Sequence, residues 1–432
     1  MTTGALQLEI AGERIETWAS YRVSSSMLTP ADDWSASLFV RGDAQARALL
    51  ASYVRVGEPV KAYIVQNHGQ PDELRALQLT GFVETRDVAN DINGTRISVS
   101  GRDLAAHLAD SCVPMDAVRQ TGENFVDLVR ALVAPWRIEV WLDAAASRHI
   151  ATGQVTTTAE GRLARQRARR LGVPAGTFNR AQMDRATRER VPIDEVLGAP
   201  TPAAERAARR ARKGAANALT ASDIQRIKIA EAMPQAGEVV WEFLERHARR
   251  FGLMMWFDPE GRLVISSPNY DQPPTFRIVR RLTSDPQEPN NVLAGSEQTN
   301  MRDRYSKVTV FGKTGARDAS RSRFSFAATD DTLPFPKELV VHDQSVRSRE
   351  EAKRAATREL YKFRANAHVL DYTLRGHGDG SHVFATDATY EIHDEVLGIY
   401  ETWYCVERTF SCSRDQGTST TLRLLPLGAL QL

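Results

Sequence analysis

Apolar and polar residues alternate in short runs over the first hundred residues, give way to helical spacing, and alternate again from Asn290 to the end. Alternation sends successive side chains to opposite faces of an extended segment, so each run predicts a half-buried strand. Candidate strands of the first region are 6–10, 17–25, 34–40, 60–66, 76–83 and 96–100. Gly12, Gly42, Gly57-Glu58-Pro59, His68-Gly69-Gln70-Pro71 and Asn93-Gly94 punctuate them. Asn93-Gly94 predicts a type I′ hairpin, since both central positions need positive φ. Short strands broken this often predict a small barrel or sandwich. A short helix over 44–53 bridges two of them.

The region ends in an abrupt strand-to-helix junction. Ile97 and Val99 take one face and Ser98 and Ser100 the other, before Gly101. Gly101 is expected to relieve a backbone angle that a Cβ would penalise. Asp103 then stands where an N-cap belongs, ahead of the apolar positions Leu104, Ala105 and Leu108. Further on, Asn124 caps a helix with Phe125, Val126, Leu128, Val129, Leu132 and Val133 on one broad face, and Pro135 stops it. A strand over 137–142 follows. A second helix over 238–251 buries Val239, Val240, Phe243, Leu244 and Phe251 and ends at Gly252. The segment 253–257, the turn Asp258-Pro259-Glu260-Gly261 and the segment 262–266 complete one compact α/β unit.

Between the halves of that unit lies 144–234, rich in Ala and Arg and poor in large apolar residues. From Arg162 to Lys213 there are fourteen Arg and Lys against five Asp and Glu. The whole chain is formally only +2, so the remainder is mildly acidic. Such a segment buries no core and reads as a basic helical insertion. Its arginines, Arg162, Arg165, Arg167, Arg169 and Arg170 among them, suit phosphates or carboxylates alike. With Phe178 as the one aromatic ring there, base stacking lacks a platform, which favours a solvated helical face or an acidic protein partner.

After Asn290 the predicted strands are 292–298, 305–312, 323–327, 369–375, 389–393, 401–411 and 418–425. A long helix interrupts them, opened by Ser348 with Glu351 as a capping box and buried through Ala352, Ala355, Ala356, Leu360 and Phe363. A chain of 432 residues exceeds one ordinary core and predicts three domains. These are a first β-barrel over 1–102, an α/β middle domain over 103–272 holding the insertion 144–234, and a second β-barrel over 273–432 with a helical excursion at 314–366. The fold class is therefore α+β and β-rich, with two small β-barrels flanking an α/β middle.

No run reaches the ~18 apolar residues of a membrane span, and the N-terminus lacks a basic-then-apolar leader, so neither membrane insertion nor secretion is expected. Cys112, Cys405 and Cys412 show no metal-ligand spacing and read as reduced, packed residues. Cys405 and Cys412, seven apart on one strand, are expected on opposite faces. Phosphate loops, dinucleotide fingerprints, zinc-protease and nucleophile-elbow motifs are all missing from the sequence. His377-Gly-Asp-Gly-Ser-His382, with Asp379, has the residue types of a metal site but the glycine spacing of a polar hairpin turn. His393-Asp394 beside Ile392 reads as a solvent-facing strand end. Glu238, Glu242 and Glu245 lie opposite the apolar stripe and read as the solvated side of a helix, and a glycosidase pair, which needs no local motif, stays open as an alternative. No catalytic, cofactor-binding or metal residue is assigned, no cofactor is expected, and the chain is read as no enzyme.

Val99-Ser-Gly-Arg-Asp-Leu104 behind an all-β start resembles the baseplate hub family of contractile phage tails, chiefly the Mu-type tail protein P and more distantly late control protein D and the N-terminal part of VgrG spikes. Similar stretches follow in the family's order: Glu238 to Gly252 with Asp258 to Ile265, then Tyr305-Ser-Lys-Val-Thr-Val-Phe-Gly312, the strand opening a second barrel. The closing strands match through Tyr372-Thr-Leu-Arg-Gly-His-Gly378, Tyr390-Glu-Ile-His-Asp-Glu395 and the run from Val406 through Gly417-Thr-Ser-Thr420. The chain departs from the pattern in its large insertion and in Val383-Phe384-Ala385, where the family carries a Trp-Pro-Asn-like stretch. The resemblance implies a structural hub of the virion tail, assembled in the host bacterial cytoplasm. It implies a homotrimer whose paired barrels form a six-membered ring. Implied partners are the hexameric tail tube, the trimeric central spike and other baseplate components, with 144–234 as a route to the last, and DNA only as passing cargo. The competing readings are a hub-associated peptidoglycan hydrolase and a nucleic-acid-binding module built on the insertion.

Overall fold

The computed structural model describes residues 5–40, 54–142, 233–283, 289–313 and 323–430, apart from scattered short gaps, together with residue 224. The helix expected at 44–53 and nearly all of the insertion 144–234 lie outside the described residues.

Eight strands make the N-terminal unit: β1 (Ala5–Ile10), β2 (Glu13–Ile15), β3 (Ser20–Ser26), β4 (Asp33–Val40), β5 (Pro59–Gln66), β6 (Leu74–Phe82), β7 (Thr85–Asp91) and β8 (Gly94–Arg102). The middle holds helix α1 (Ala105–Asp110), helix α2 (Phe125–Val133), β9 (Val140–Trp141), helix α3 (Val240–Arg250), β10 (Met254–Phe257) and β11 (Leu263–Ser266). Then come β12 (Phe276–Arg280), β13 (Val292–Thr299), β14 (Lys307–Lys313), β15 (Arg323–Thr329), β16 (Glu338–His342), helix α4 (Arg349–Ala367), β17 (His368–Arg375), β18 (Ala388–Asp394), β19 (Thr402–Ser413) and β20 (Gly417–Pro426).

The fold is β-rich α+β, as the alternation implies, but its sheets are open. Among the described residues none closes into a barrel. A four-stranded sheet runs β2-β1-β5-β6, and a ten-stranded sheet follows the path β13-β17-β20-β19-β3-β4-β8-β7, with β12 and β18 branching from β19. The ten-stranded sheet draws on both terminal regions. They meet where β19 pairs antiparallel with β3, Phe410 opposite Val23 and Cys412 opposite Tyr21. One core lies behind the joined sheet, in which Leu6, Trp34 and Val99 pack with Phe276, Tyr372 and Phe410. Alternation reveals which face of a strand is buried but not which distant strand covers its edge, so this union is invisible in the sequence.

Close backbone approach sets the corner between the two large sheets. A Cβ on Gly101 would overlap the Phe82 carbonyl oxygen, and one on Gly81 would overlap the carbonyl of Arg102. Gly101 is therefore needed for space rather than for positive φ, which corrects the expectation from its turn position. Asp103 Oδ1 accepts from the Ala105 N–H at 3.1 Å, while the cap position of the next helix falls one residue later than expected, on Leu104.

The middle unit matches its periodicity closely. Asn124 accepts from the N–H groups of Val126 and Asp127 at 2.9 and 3.2 Å. Helices α1, α2 and α3 bury Leu108, Phe125, Leu128, Phe243 and Leu244 against Leu253 and Ile265. The three-stranded sheet β10-β11-β9 closes the unit. Gly252, at φ +74°, ends α3 in the left-handed conformation.

The segment expected to open the second barrel goes elsewhere. Strand β14 pairs with β15 and β16 in a separate three-stranded sheet, and α4 packs on it through Val308, Val310, Ala352, Ala356 and Leu360. Ser348 caps α4 as its capping box predicts, accepting from Glu351 N–H at 3.2 Å. The 314–366 excursion thus contains two strands as well as a helix.

Candidate functional site

The seam between β3 and β19 gathers buried polar side chains from both ends of the chain. Tyr21 Oη lies 2.7 Å from His377 Nε2, and His377 Nδ1 lies 3.1 Å from Thr420 Oγ1. Thr420 donates its own hydroxyl to the Gly376 carbonyl at 2.6 Å. Thr420 must then accept from His377, which fixes the neutral Nδ1–H tautomer and leaves Nε2 to accept from Tyr21. Burial lowers the His377 pKa to about 3 and raises the Tyr21 phenol above its ordinary range. Nearby, Arg408 reaches Gln78 Oε1 of β6 at 2.5 Å and the Phe384 carbonyl at 3.1 Å. Gln66 donates to the His382 carbonyl at 3.3 Å. The neutral Tyr21–His377–Thr420 chain and the neighbouring Arg408 guanidinium tie the two β regions together across the seam.

The histidine turn is therefore divided. His377 joins the seam, whereas Asp379 accepts from the backbone N–H groups of Ser381 and His382 at 2.9 and 2.7 Å. That is the hairpin-turn chemistry the glycine spacing predicts, and among the described residues no cluster of three metal-ligating side chains occurs. Asp394 corrects the solvent-facing expectation for its strand end. It is fully buried, where it binds Arg280 at 2.9 Å and the Tyr372 hydroxyl at 2.8 Å. Its Oδ1 also caps the N–H groups of Val396 and Leu397. His393 stays half-buried on the opposite face against the Tyr400 ring.

The three glutamates near α3 do not act together. Glu238 precedes the helix and makes a two-pronged pair with Arg246 at 2.8 and 2.9 Å. Glu245 pairs with Arg249 one turn on. Glu242 stays on the exposed side of the helix. Cys405 and Cys412 are also corrected. A bulge between Cys405 and Glu407 resets the alternation, and both cysteines pack on the same core. Cys112 is exposed rather than packed. Arg162, Arg165, Arg167, Arg169, Arg170 and Phe178 lie outside the described residues.

What remains accessible are surfaces suited to assembly. Among the described residues the main path of the ten-stranded sheet ends in β7 and β13, exposing Val88 and Leu293 at 45% and 50%, and its branch ends in β12. A recess of about 330 Å³ lies between α3 and α4, floored by Met27, Trp241, Met255 and Leu425 and rimmed by Arg358 and Lys362. Among the described residues no helix is long and apolar enough to cross a membrane.

Among the described residues the chain thus presents an open, seam-joined β framework with accessible sheet edges. Residues 5–103 match the family model of the Mu phage baseplate assembly protein GpP-like N-terminal domain. Residues 218–267 match that of the second domain of baseplate hub protein gp44-like. Two separate stretches of the chain thus match domain models of baseplate proteins. No curated protein matches it in sequence. Among solved structures, the tail protein from Neisseria meningitidis MC58 is 21% identical with a TM-score of 0.64, over 99% of this chain and 98% of that one. The 43 kDa tail protein of prophage MuSo2 from Shewanella oneidensis is 17% identical with a TM-score of 0.65, over 99% of both chains. The Francisella PdpA-VgrG complex gives 8% identity and a TM-score of 0.50, over 99% of this chain and 58% of that one. Over its whole length the chain thus shares the fold of the two solved tail proteins.

Proposed function

We propose that this chain is the structural hub of a contractile-tail baseplate in a phage or tail-like particle. In this reading three copies form a ring that adapts the hexameric tail tube to the trimeric central spike and leaves a channel for DNA. The observation that carries it is the β3–β19 seam, which makes the N-terminal region and the C-terminal strands one continuous sheet whose main path ends, among the described residues, at β7 and β13. A continuous sheet with two different ends suits head-to-tail contacts between copies, and such contacts close into a ring when the rotation allows. The division into units at 1–102, 103–272 and 273–432 belongs to the same proposal, with the seam as the joint between the outer two.

No step of this function needs an active site. Its partners are further copies of the chain, the tube protein, the spike protein and neighbouring baseplate components, and its place is the virion tail after assembly in the host cytoplasm. Light scattering on the purified protein tests the reading. A mass three times the 48.0 kDa chain is expected. A stable monomer that also fails to bind tube or spike protein overturns it.

A further inference from the structure

Helices α3 and α4 face each other across the recess of about 330 Å³. Helix α3 turns Trp241, Glu245 and Arg249 toward it, and α4 turns Arg358, Lys362 and Asn366. Each set repeats every four residues, so each is one stripe of its helix. At ~1.5 Å per residue each stripe is about 12 Å long, or roughly two helical turns. Between the stripes the floor is apolar. Met27, Met255 and Leu425 are each at most 4% exposed, while Leu28 stands on the lip at 46%. Methionine is unbranched and soft, so such a floor adapts to the surface laid on it. An apolar groove of this length is the form that receives one face of an amphipathic helix.

The charges at the lip select the sign of the occupant. Both carboxylates that line the recess are engaged: Glu245 pairs with Arg249, and Glu359 lies 3.6 Å from Arg358. Arg354, Arg358 and Lys362 stand four apart in one row along α4. Arg354 and Arg358 donate to the carbonyls of Arg250 and Arg249 at 3.2 and 3.4 Å, which fixes the row against the end of α3. Arg354 shares a neighbouring cleft with Arg250, Asp343 and Glu351. Lys362 is exposed and has no carboxylate partner among the described residues. Like charges four apart on a helix repel, and carboxylates at the same spacing relieve them. The chain itself supplies no such occupant. Its segment from Arg162 to Lys213, with fourteen Arg and Lys against five Asp and Glu, has the wrong sign. Among the described residues a second copy has no spare helix, since α1, α2 and α3 bury their apolar faces in the middle core and α4 buries its own against β14.

We propose that this groove docks an amphipathic helix of a different protein, its apolar face on the methionine floor and its carboxylates, spaced four apart, along Arg354, Arg358 and Lys362. The inference goes beyond the hub reading and does not need it, because both walls of the groove belong to one chain. Stapled helical peptides test it on the full-length protein by fluorescence anisotropy. One peptide carries leucines on one face with glutamates four apart beside them; the others are its lysine-for-glutamate counterpart and a scrambled sequence of equal composition. The glutamate peptide is expected to bind about tenfold or more tightly than either, and its lead over the lysine peptide narrows in high salt. Lys362→Glu should weaken the glutamate peptide about threefold to fivefold and strengthen the lysine one. Leu28→Ser, on the lip, should weaken the glutamate peptide as well. Equal binding of the peptides, no binding of any, or glutamate-peptide binding that ignores either substitution overturns the proposal. If Lys362→Glu does not fold by circular dichroism, Lys362→Gln carries the same comparison. The titration is repeated on assembled and dissociated protein. A groove open to the peptide only after dissociation belongs to a second copy and also overturns the proposal. Failure of the hub reading is distinguishable, because the wild type would then be monomeric by light scattering and still bind the glutamate peptide.

Discussion

The Tyr21 hydroxyl donates to Nε2 of His377 across 2.7 Å, joining two residues 356 positions apart in the chain. The bond closes the β3–β19 seam from inside the core, behind the antiparallel pairing of Tyr21 with Cys412. Tyr21→Phe leaves the imidazole acceptor buried and unpaired. The expected loss is about 1–3 kcal/mol, read by urea unfolding. An unchanged midpoint would mean that the seam does not depend on this bond.

The same histidine gives the fold a pH dependence of definite sign. Burial holds His377 and His247 at about 3, while an unfolded histidine titrates near ~6.5. Between these values the unfolded chain carries protons that the folded chain refuses, so stability is full above the unfolded value and falls as the pH drops. Asp32 opposes this, because burial raises its carboxyl to about 6 and the folded state then keeps the extra proton down to about pH 4. Replacing His377 with Gln should flatten the fall below pH 6 by up to about 1.4 kcal/mol per pH unit. Parallel wild-type and variant curves would contradict the neutral tautomer.

Gly101→Ala tests the close approach at the sheet corner. The added methyl would meet the Phe82 carbonyl, and forcing an atom into packed space costs about 1–3 kcal/mol or more. Gly12→Ala is the contrast, since nothing lies near a Cβ there and only its φ of +87° opposes the change. The first variant should be the less stable in thermal unfolding; the reverse order would place the constraint in backbone angle rather than in space.

The ion pairs of Glu238 with Arg246 and Glu245 with Arg249 argue against a paired-carboxylate mechanism. Purified protein should therefore give no clearing on peptidoglycan zymograms. Reproducible clearing that disappears in Glu238→Gln or Glu242→Gln would establish the hydrolase reading instead.

Ile224, within the expected insertion, is buried in the core of the middle unit, so the deletion that tests the basic segment is 155–217, which takes away the arginines and lysines from Arg162 to Lys213 and leaves that core whole. Inserting or deleting residues in such a connection changes closure entropy by only roughly 0.6 kcal/mol per doubling of length. The deletion should leave the trimer intact while weakening attachment of an acidic baseplate partner, with a difference that shrinks in high salt. Loss of the trimer would make the segment part of the ring itself.

Local order was legible in the sequence wherever a single period or cap decides it. The strands around Trp34, Ile97 and Leu422, the caps at Asn124 and Ser348, and the apolar stripes of α2 and α3 follow from spacing, because each depends on residues within one or two turns. The order of motifs from Val99 through Gly417 likewise carried the likeness to baseplate hubs. Only the tertiary structure decided the rest. It joined β3 to β19 where separate barrels were expected and sent β14 into a sheet of its own. It divided His377 from Asp379 and buried Asp394 against Arg280. The bulge after Cys405 turned two cysteines toward one core. Each of these outcomes is a choice of partner across hundreds of residues. Periodicity shows that a face or an edge must be covered, but the covering element is selected by which distant surface fills the space and satisfies the buried polar groups.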